Sequence, residues 1–474
     1  MIPDLCQLSG RELSERIRRR ELSPVDVVDA HLAHIEAADP ALNSFITVTG
    51  DHARGRAREA EAEIAAGNWR GPLHGIPYAP KDILATAGIL TTNGSKATAD
   101  WVPDYESTIT ARLNAAGAIL VGKLNLLEFA MGSGVLSGFG PAQNPWATGY
   151  TPSGSSSGSG AALAARLVPL SIGTDTGGSI RGPAAACGVL GLKQTYGRIS
   201  RFGVTTLSWT LDHAGPMTRT AWDAAAMLGA IAGPDPRDPT TAEVAVPDYL
   251  AGLTPAVSGL RIGVPVSGFF EDATEEMREA VHAAMALLTA DGAETREVEV
   301  PHAHLAGSAG WIVAMAEAAT FHEKRLAEQP EDLDPLVRER LEVAKFYPAT
   351  DYIKALRLRT ILQQEMAEVF RHCDVMIVPS SLSPADPLRS PEAASSDVRA
   401  GTNPDELKSR PGNTFIGNMT GYPALTMGCG FTSEAPKRPL ALQIYGPPFS
   451  EDRLLQVAHA YQERTSWHEE LPPI

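Results

Sequence analysis

The chain is poor in cysteine, in aromatic residues and in long apolar runs. Its four cysteines, Cys6, Cys187, Cys373 and Cys429, lie far apart with no C-x-x-C pair. That excludes a disulfide framework and leaves no zinc-ligand spacing, so no metal is expected. Free thiols fit a reducing compartment, and a cytoplasmic protein is the expectation. The start, MIPDLCQLSGRELSERIRRR, lacks a basic-then-apolar signal pattern, and no apolar run is long enough to span a bilayer. Positive charge is also in deficit. A formal net charge of −16 argues against a nucleic-acid or anionic-membrane surface. No internal repeat and no shift in composition marks a boundary, so residues 1–474 are expected to form a single domain.

What is present is an alternation of helices and short apolar strands. Ser23-Pro24-Val25-Asp26 reads as a helix start, with a serine cap, proline at the first helical position and an acid in the first turn. Val28, Leu32 and Ile35 then share one face. Helices are predicted over 51–66, 108–117, 159–167, 273–290, 311–328 and 351–371. Strands are predicted at AILVGK, at 168–175 and 259–265, and at CDVMIVPS, PALTMGCGF and LALQIYG. This pattern implies an α/β core. The chain divides into an N-terminal helical region (1–70) and a central portion (71–220). Residues 379–412 carry six prolines and many serines, a loop length that in a compact domain is usually functional.

Two motif matches are misleading. Gly117 to Lys123 approaches a phosphate-binding P-loop, but its middle is a buried-strand run and Leu124 stands where Ser or Thr must hold magnesium. Gly154-Ser155-Ser156-Ser157-Gly158 fits a nucleophile elbow literally, yet no strand precedes it, so an α/β-hydrolase is a poor second choice.

The chemistry gathers in three places. In GTDTGGSIRG (173–182) an apolar strand ends in glycines followed by Ser179, a geometry that suits an oxyanion; on this cluster alone a plain strand-to-helix turn is the favoured account. Serine needs a base. His213 is the nearest of twelve histidines, and a packing role accounts for it. Lys81 sits in the apolar stretch GIPYAPKDI, where burial would favour the neutral amine.

Taken together these pieces resemble the amidase signature hydrolases. The motifs are Gly75-Ile76-Pro77-Tyr78-Ala79-Pro80-Lys81-Asp82, Pro152-Ser153-Gly154-Ser155-Ser156-Ser157-Gly158-Ser159 and Asp175-Thr176-Gly177-Gly178-Ser179-Ile180-Arg181, and similarity runs through nearly the whole chain. The resemblance implies one α/β/α domain with a large central mixed β-sheet covered by helices. It implies a Ser-cisSer-Lys triad of Ser179, Ser155 and Lys81, and an oxyanion hole from the N–H groups of Thr176, Gly177, Gly178 and Ser179. Ser156, Asp175 and Arg181 would support the loops, an ordinary surface ion pair being the plainer account of the last two. Met131 and Ser133 match positions near the acyl pocket. Residues 300–350 and 379–412 are candidate substrate walls or lid. The chain departs from the family pattern at Ser153 (usually glycine), Pro80 (usually small and apolar) and Gln194 (usually proline).

By this resemblance the expected activity is hydrolysis of small-molecule amides, aryl amides or carbamates, without a cofactor. The glutaminase subunit of a tRNA-dependent amidotransferase is an alternative, and a catalytically silent binding protein another. The oligomeric state stays open, a homodimer being common among relatives.

Overall fold

The computed structural model describes residues 2–131, 137–388 and 412–474. Twelve strands are described: β1 Phe45–Val48, β2 Pro77–Pro80, β3 Ile119–Leu120, β4 Gly122–Leu124, β5 Leu170–Asp175, β6 Leu190–Lys193, β7 His213–Thr218, β8 Arg261–Pro265, β9 Glu294–Val298, β10 Val375–Pro379, β11 Ala424–Phe431 and β12 Pro439–Tyr445. Ten of them build one sheet in the order β3-β2-β5-β7-β6-β11-β12-β10-β8-β9, while β1 pairs with β4 apart from it. The strands β3-β2-β5 and β10-β8-β9 run parallel at the two ends, and the middle is antiparallel. The mixed sheet and its helical cover give the single α/β domain expected. Among the described residues no helix is long and apolar enough to cross a membrane.

The local rules explain most elements. The helix Pro24–Leu42 starts where Ser23 Oγ accepts the Val25 N–H, and it ends at Asn43 in the left-handed conformation. Its Val28, Leu32 and Ile35 are buried, as their spacing predicts. The run 311–328 is two helices rather than one, Ala306–Phe321 and Glu323–Glu328, because His322 leaves the helical path between them. Strands β1, β6, β7 and β9 are not anticipated from sequence. Strand β9 is mostly exposed and shows no alternation, and β7 carries Gly215 and Pro216 in its interior.

Pro80 closes β2 without disturbing the pairing beyond it. The Lys81 N–H continues the ladder, donating to Ile172 O at 2.9 Å, and the Asp82 N–H donates to Leu124 O on the other side. Lys81 is thereby fixed at the end of a strand paired on both sides. The P-loop look-alike is structural too: Lys123 is fully buried, 2.9 Å from Asp82 Oδ1 and bonded to Leu84 O and Thr91 Oγ1.

Candidate active site

Lys81 is wholly buried. Its Nζ lies 2.7 Å from Ser155 Oγ and 2.7 Å from Thr174 Oγ1. Burial pushes its pKa down to about 7, against the opposing pull of Asp175 and Asp212. Two other fully buried lysines show what is unusual here. Lys123 has a carboxylate partner; Lys193 meets Gln194 O at 2.9 Å and His213 Nε2 at 3.2 Å. Lys81 meets two hydroxyls.

The serine-rich stretch is ordered, not a linker. The Gly154–Ser155 peptide is cis, and Ser153 has a φ of 62°, the left-handed region that accounts for glycine being usual there. A side chain at Gly154 would collide with Leu127. Ser156 Oγ bonds both the N–H (3.2 Å) and the carbonyl (3.3 Å) of Thr174, and the Ser156 N–H donates to Ser179 O at 3.3 Å. Ser156 therefore holds the two serine clusters against each other and against β5. The helix Ser157–Ala164 follows at once.

Strand β5 ends at Asp175, and the chain turns through 176–180 into the helix Arg181–Cys187. One carboxylate organises that turn. Asp175 accepts from the N–H groups of Gly178 (2.8 Å) and Ile180 (3.1 Å), from Arg181 Nε (3.0 Å) and Nη2 (2.9 Å), and from Asn418 Nδ2 (2.9 Å). Arg181 is further held by Gln443 Oε1 and Asn418 Oδ1. Burial works to raise the Asp175 pKa, but Arg181 and these donors outweigh it and keep the carboxyl well below its usual range. The pair is fully buried, so the surface ion pair offered as the plainer account is corrected. Changing Asp175 to Asn preserves shape but strands a buried guanidinium, and should cost about 3–5 kcal/mol. A denaturant melt of the variant checks this; a loss below about 1 kcal/mol would contradict it.

The same hydrogen bonds bear on the oxyanion donors. Gly178's N–H donates to Asp175 Oδ1 at 2.8 Å. The N–H groups of Thr176, Gly177 and Ser179 have no acceptor among the described residues. Thr176 Oγ1 donates to Asp212 Oδ1 at 2.6 Å. Gly177 is pressed by the Phe415 ring, which a Cβ there would approach to 2.4 Å, and its carbonyl accepts from Thr414 Oγ1 at 2.7 Å. Ser179 itself is partly exposed, and its hydroxyl makes no hydrogen bond among the described residues.

Above Ser179, Gly177 and Gly178 opens a cleft of about 370 Å³ walled by Met131, Trp311, Met315, Leu382 and Phe415. Met131 thus lies at the site. Trp311 and Met315 come from the helix Ala306–Phe321, and Ser380, Ser381 and Leu382 from the beginning of the proline-rich segment. Ser133 and residues 389–411 lie outside the described residues. His213 is buried, its Nδ1 2.7 Å from Leu211 O and its Nε2 3.2 Å from Lys193 Nζ, and it makes no hydrogen bond to Ser179 among the described residues. Trp311 and Met315 fall in the 300–350 segment expected to line the substrate, while sequence reasoning missed Thr174, Asn418 and Phe415. Only Thr174 carried a local signal, since it sits on the lysine-facing strand just before the nucleophile motif.

The chain belongs to the amidase family, which it matches over residues 26–455, and with that membership it is a hydrolase of amide C–N bonds. Among known proteins it is similar to the A subunit of glutamyl-tRNA(Gln) amidotransferase from Methylococcus capsulatus, at 42% identity over 97% of this chain and 98% of that one. Among solved structures it is similar to peptide amidase from Stenotrophomonas maltophilia, with a TM-score of 0.85, 32% identity and 98% of each chain covered. It is also similar to the amidotransferase A subunit of Thermotoga maritima, with a TM-score of 0.80 and 29% identity, over 100% of this chain and 98% of that one.

Proposed function

We propose that the chain is a stand-alone serine amidase acting on small-molecule amides or carbamates, with Ser179 as nucleophile, Ser155 as proton relay and Lys81 as base. One observation carries the reading: a fully buried amine with its pKa lowered to about 7, at hydrogen-bond distance from a serine hydroxyl. An ammonium could not accept a proton there. Ser179 Oγ attacks the carbonyl carbon and its proton passes to Ser155 Oγ, whose own proton moves to Lys81 Nζ. The hydroxyl of Ser179 is free to rotate into line when substrate arrives, as catalytic hydrogen bonds commonly tighten only in the complex. The N–H groups of Thr176, Gly177 and Ser179, with Gly178's held by Asp175, receive the oxyanion, each such donor being worth about 3 kcal/mol in comparable enzymes. The relay then runs backwards to protonate the leaving nitrogen, and water hydrolyses the acyl-serine.

The test is a fluorophosphonate probe with peptide mapping. Label on Ser179 is expected; label elsewhere, or none, would remove the assignment. The pH dependence gives a second check. Because the folded pKa of Lys81 is lowered, the amine is protonated and inactive below about 7. kcat/KM should fall about tenfold per pH unit below that point and reach a plateau above it. A flat profile between pH 5.5 and 8.5 would contradict the role of the lysine.

The similarity to amidotransferase A subunits favours a second reading, a glutaminase that feeds a partner subunit. Glutamine turnover that appears only when partner subunits are added would establish it. Labelling of Ser179 would dispose of a catalytically silent scaffold.

A further inference from the structure

A second carboxylate stands behind the serine turn. Strands β5 and β7 are antiparallel with Asp175 opposite His213, so one step past the ladder Thr176 comes to face Asp212. Asp212 is buried, and both its oxygens meet donors. Oδ1 accepts from Thr176 Oγ1 at 2.6 Å, and Oδ2 accepts from the N–H groups of Leu207 and Ser208, both at 2.9 Å. Three donors suit an ionised carboxylate, which can only accept. Burial raises its pKa, and these donors together with Arg201 oppose that rise.

Among the described residues Asp212 has no ion-pair partner, whereas the charges around it are matched. Arg201 lies 3.8 Å from Asp238, and Arg237 lies 3.2 Å from Asp235. Near the base, Asp175 is paired with Arg181 and Asp82 with Lys123, while His213 Nε2 meets Lys193 Nζ at 3.2 Å. Lys81 is on the same side as Asp212. Thr174 and Thr176 are two residues apart, the spacing that puts side chains on one face of an extended chain. Both border one cavity of about 170 Å³, and Asp212 borders it too. Thr174 Oγ1 is the group 2.7 Å from Lys81 Nζ. Burial disfavours a charge on Lys81; Asp175 and Asp212 favour it. The first of these carboxylates carries Arg181 as its counter-ion, and the second carries none.

We propose that Asp212 is a positioning residue with two tasks. It tethers Thr176, so that the Thr176 N–H keeps its direction toward the oxyanion. Its unpaired charge stabilises the ammonium that forms when Lys81 takes the serine proton. The inference rests on the serine reading above. The electrostatic task is the one an aspartate performs in a Ser-His-Asp triad, where it stabilises the cation formed during attack and does not itself take the proton. No bond to Asp212 forms or breaks. Without that charge Lys81 would stay neutral to lower pH, yet it would be a weaker base.

Mutation separates the two tasks. Asp212→Asn removes the charge alone, since the amide can turn its oxygen to the N–H groups of Leu207 and Ser208 and its nitrogen to Thr176 Oγ1. Thr176→Val removes the tether and leaves the charge. The readout is the rate of fluorophosphonate labelling at Ser179 between pH 5.5 and 8.5. In the parent the rate should bend near pH 7. In Asp212→Asn the bend should move about one unit lower, and the plateau should fall about tenfold. In Thr176→Val the bend should stay while the plateau falls about 30-fold, and Thr176→Ser should restore it to within about threefold. An unmoved bend in Asp212→Asn overturns the charge task. A plateau in Thr176→Val within about threefold of the parent overturns the tether. Loss of cooperative melting in Asp212→Asn would show that the carboxylate holds the fold, overturning the charge task, and the two Thr176 variants would still decide the tether. These outcomes, in a parent that labels at Ser179, concern this inference alone. A parent that never labels there overturns the serine reading and this inference with it.

Discussion

Replacing Ser179 by alanine should abolish turnover of every amide, lowering kcat by about 10⁴- to 10⁶-fold, and should remove the fluorophosphonate label. Loss of a nucleophile in serine hydrolases typically has this size, the remainder being what oxyanion donors and binding supply alone. The fold should not register the change. The hydroxyl is partly exposed and makes no hydrogen bond among the described residues, so the melting transition should stay within about 0.5 kcal/mol of the parent. That separation makes the variant informative, since activity lost together with stability would say nothing about chemistry. Turnover within tenfold of the parent, in a folded variant, would assign the nucleophile elsewhere.

Lys81→Met is expected to cost about 10³- to 10⁵-fold in kcat/KM, because no other described group near Ser155 is placed to take its proton. Methionine keeps the length and the apolar stem but leaves Ser155 Oγ and Thr174 Oγ1 without their shared partner, a loss of about 1–3 kcal/mol. Part of that is offset because no amine has to be buried. The decisive readout is the shape of the pH profile: residual activity should lose its bend near pH 7. Lys81→Arg should not restore activity, since a guanidinium stays charged. A variant that keeps the bend would show that another group titrates.

Lys81 and the turn at Ser179 drew notice locally, as a lysine in an apolar stretch and glycines where a strand should continue, but the roles proposed for them, and Ser155 altogether, came only from the resemblance to the amidase signature motifs. Helix starts such as Ser23-Pro24 were legible because caps are local. Asn418 and Phe415 were not, since they reach the turn from more than 230 residues away and no local pattern records a contact made by folding. The character of the Asp175–Arg181 pair was equally hidden. Two charges six residues apart look the same in sequence whether solvated or enclosed, and only the surrounding sheet and helices decide. Strand β7 was missed for a related reason: Pro216 sits opposite Ile172 in an interior strand, where tertiary pairing prevails over propensity.

The pair of hydroxyls around the Lys81 amine has one more consequence. A neutral amine has a single lone pair and two hydrogens, and free rotation would point the lone pair anywhere. With Thr174 receiving one of the hydrogens, rotation about the last carbon–nitrogen bond is restricted and the lone pair can be kept for Ser155. In the reading proposed above, the threonine takes no part in bond making, yet it sets the direction in which the amine can accept a proton.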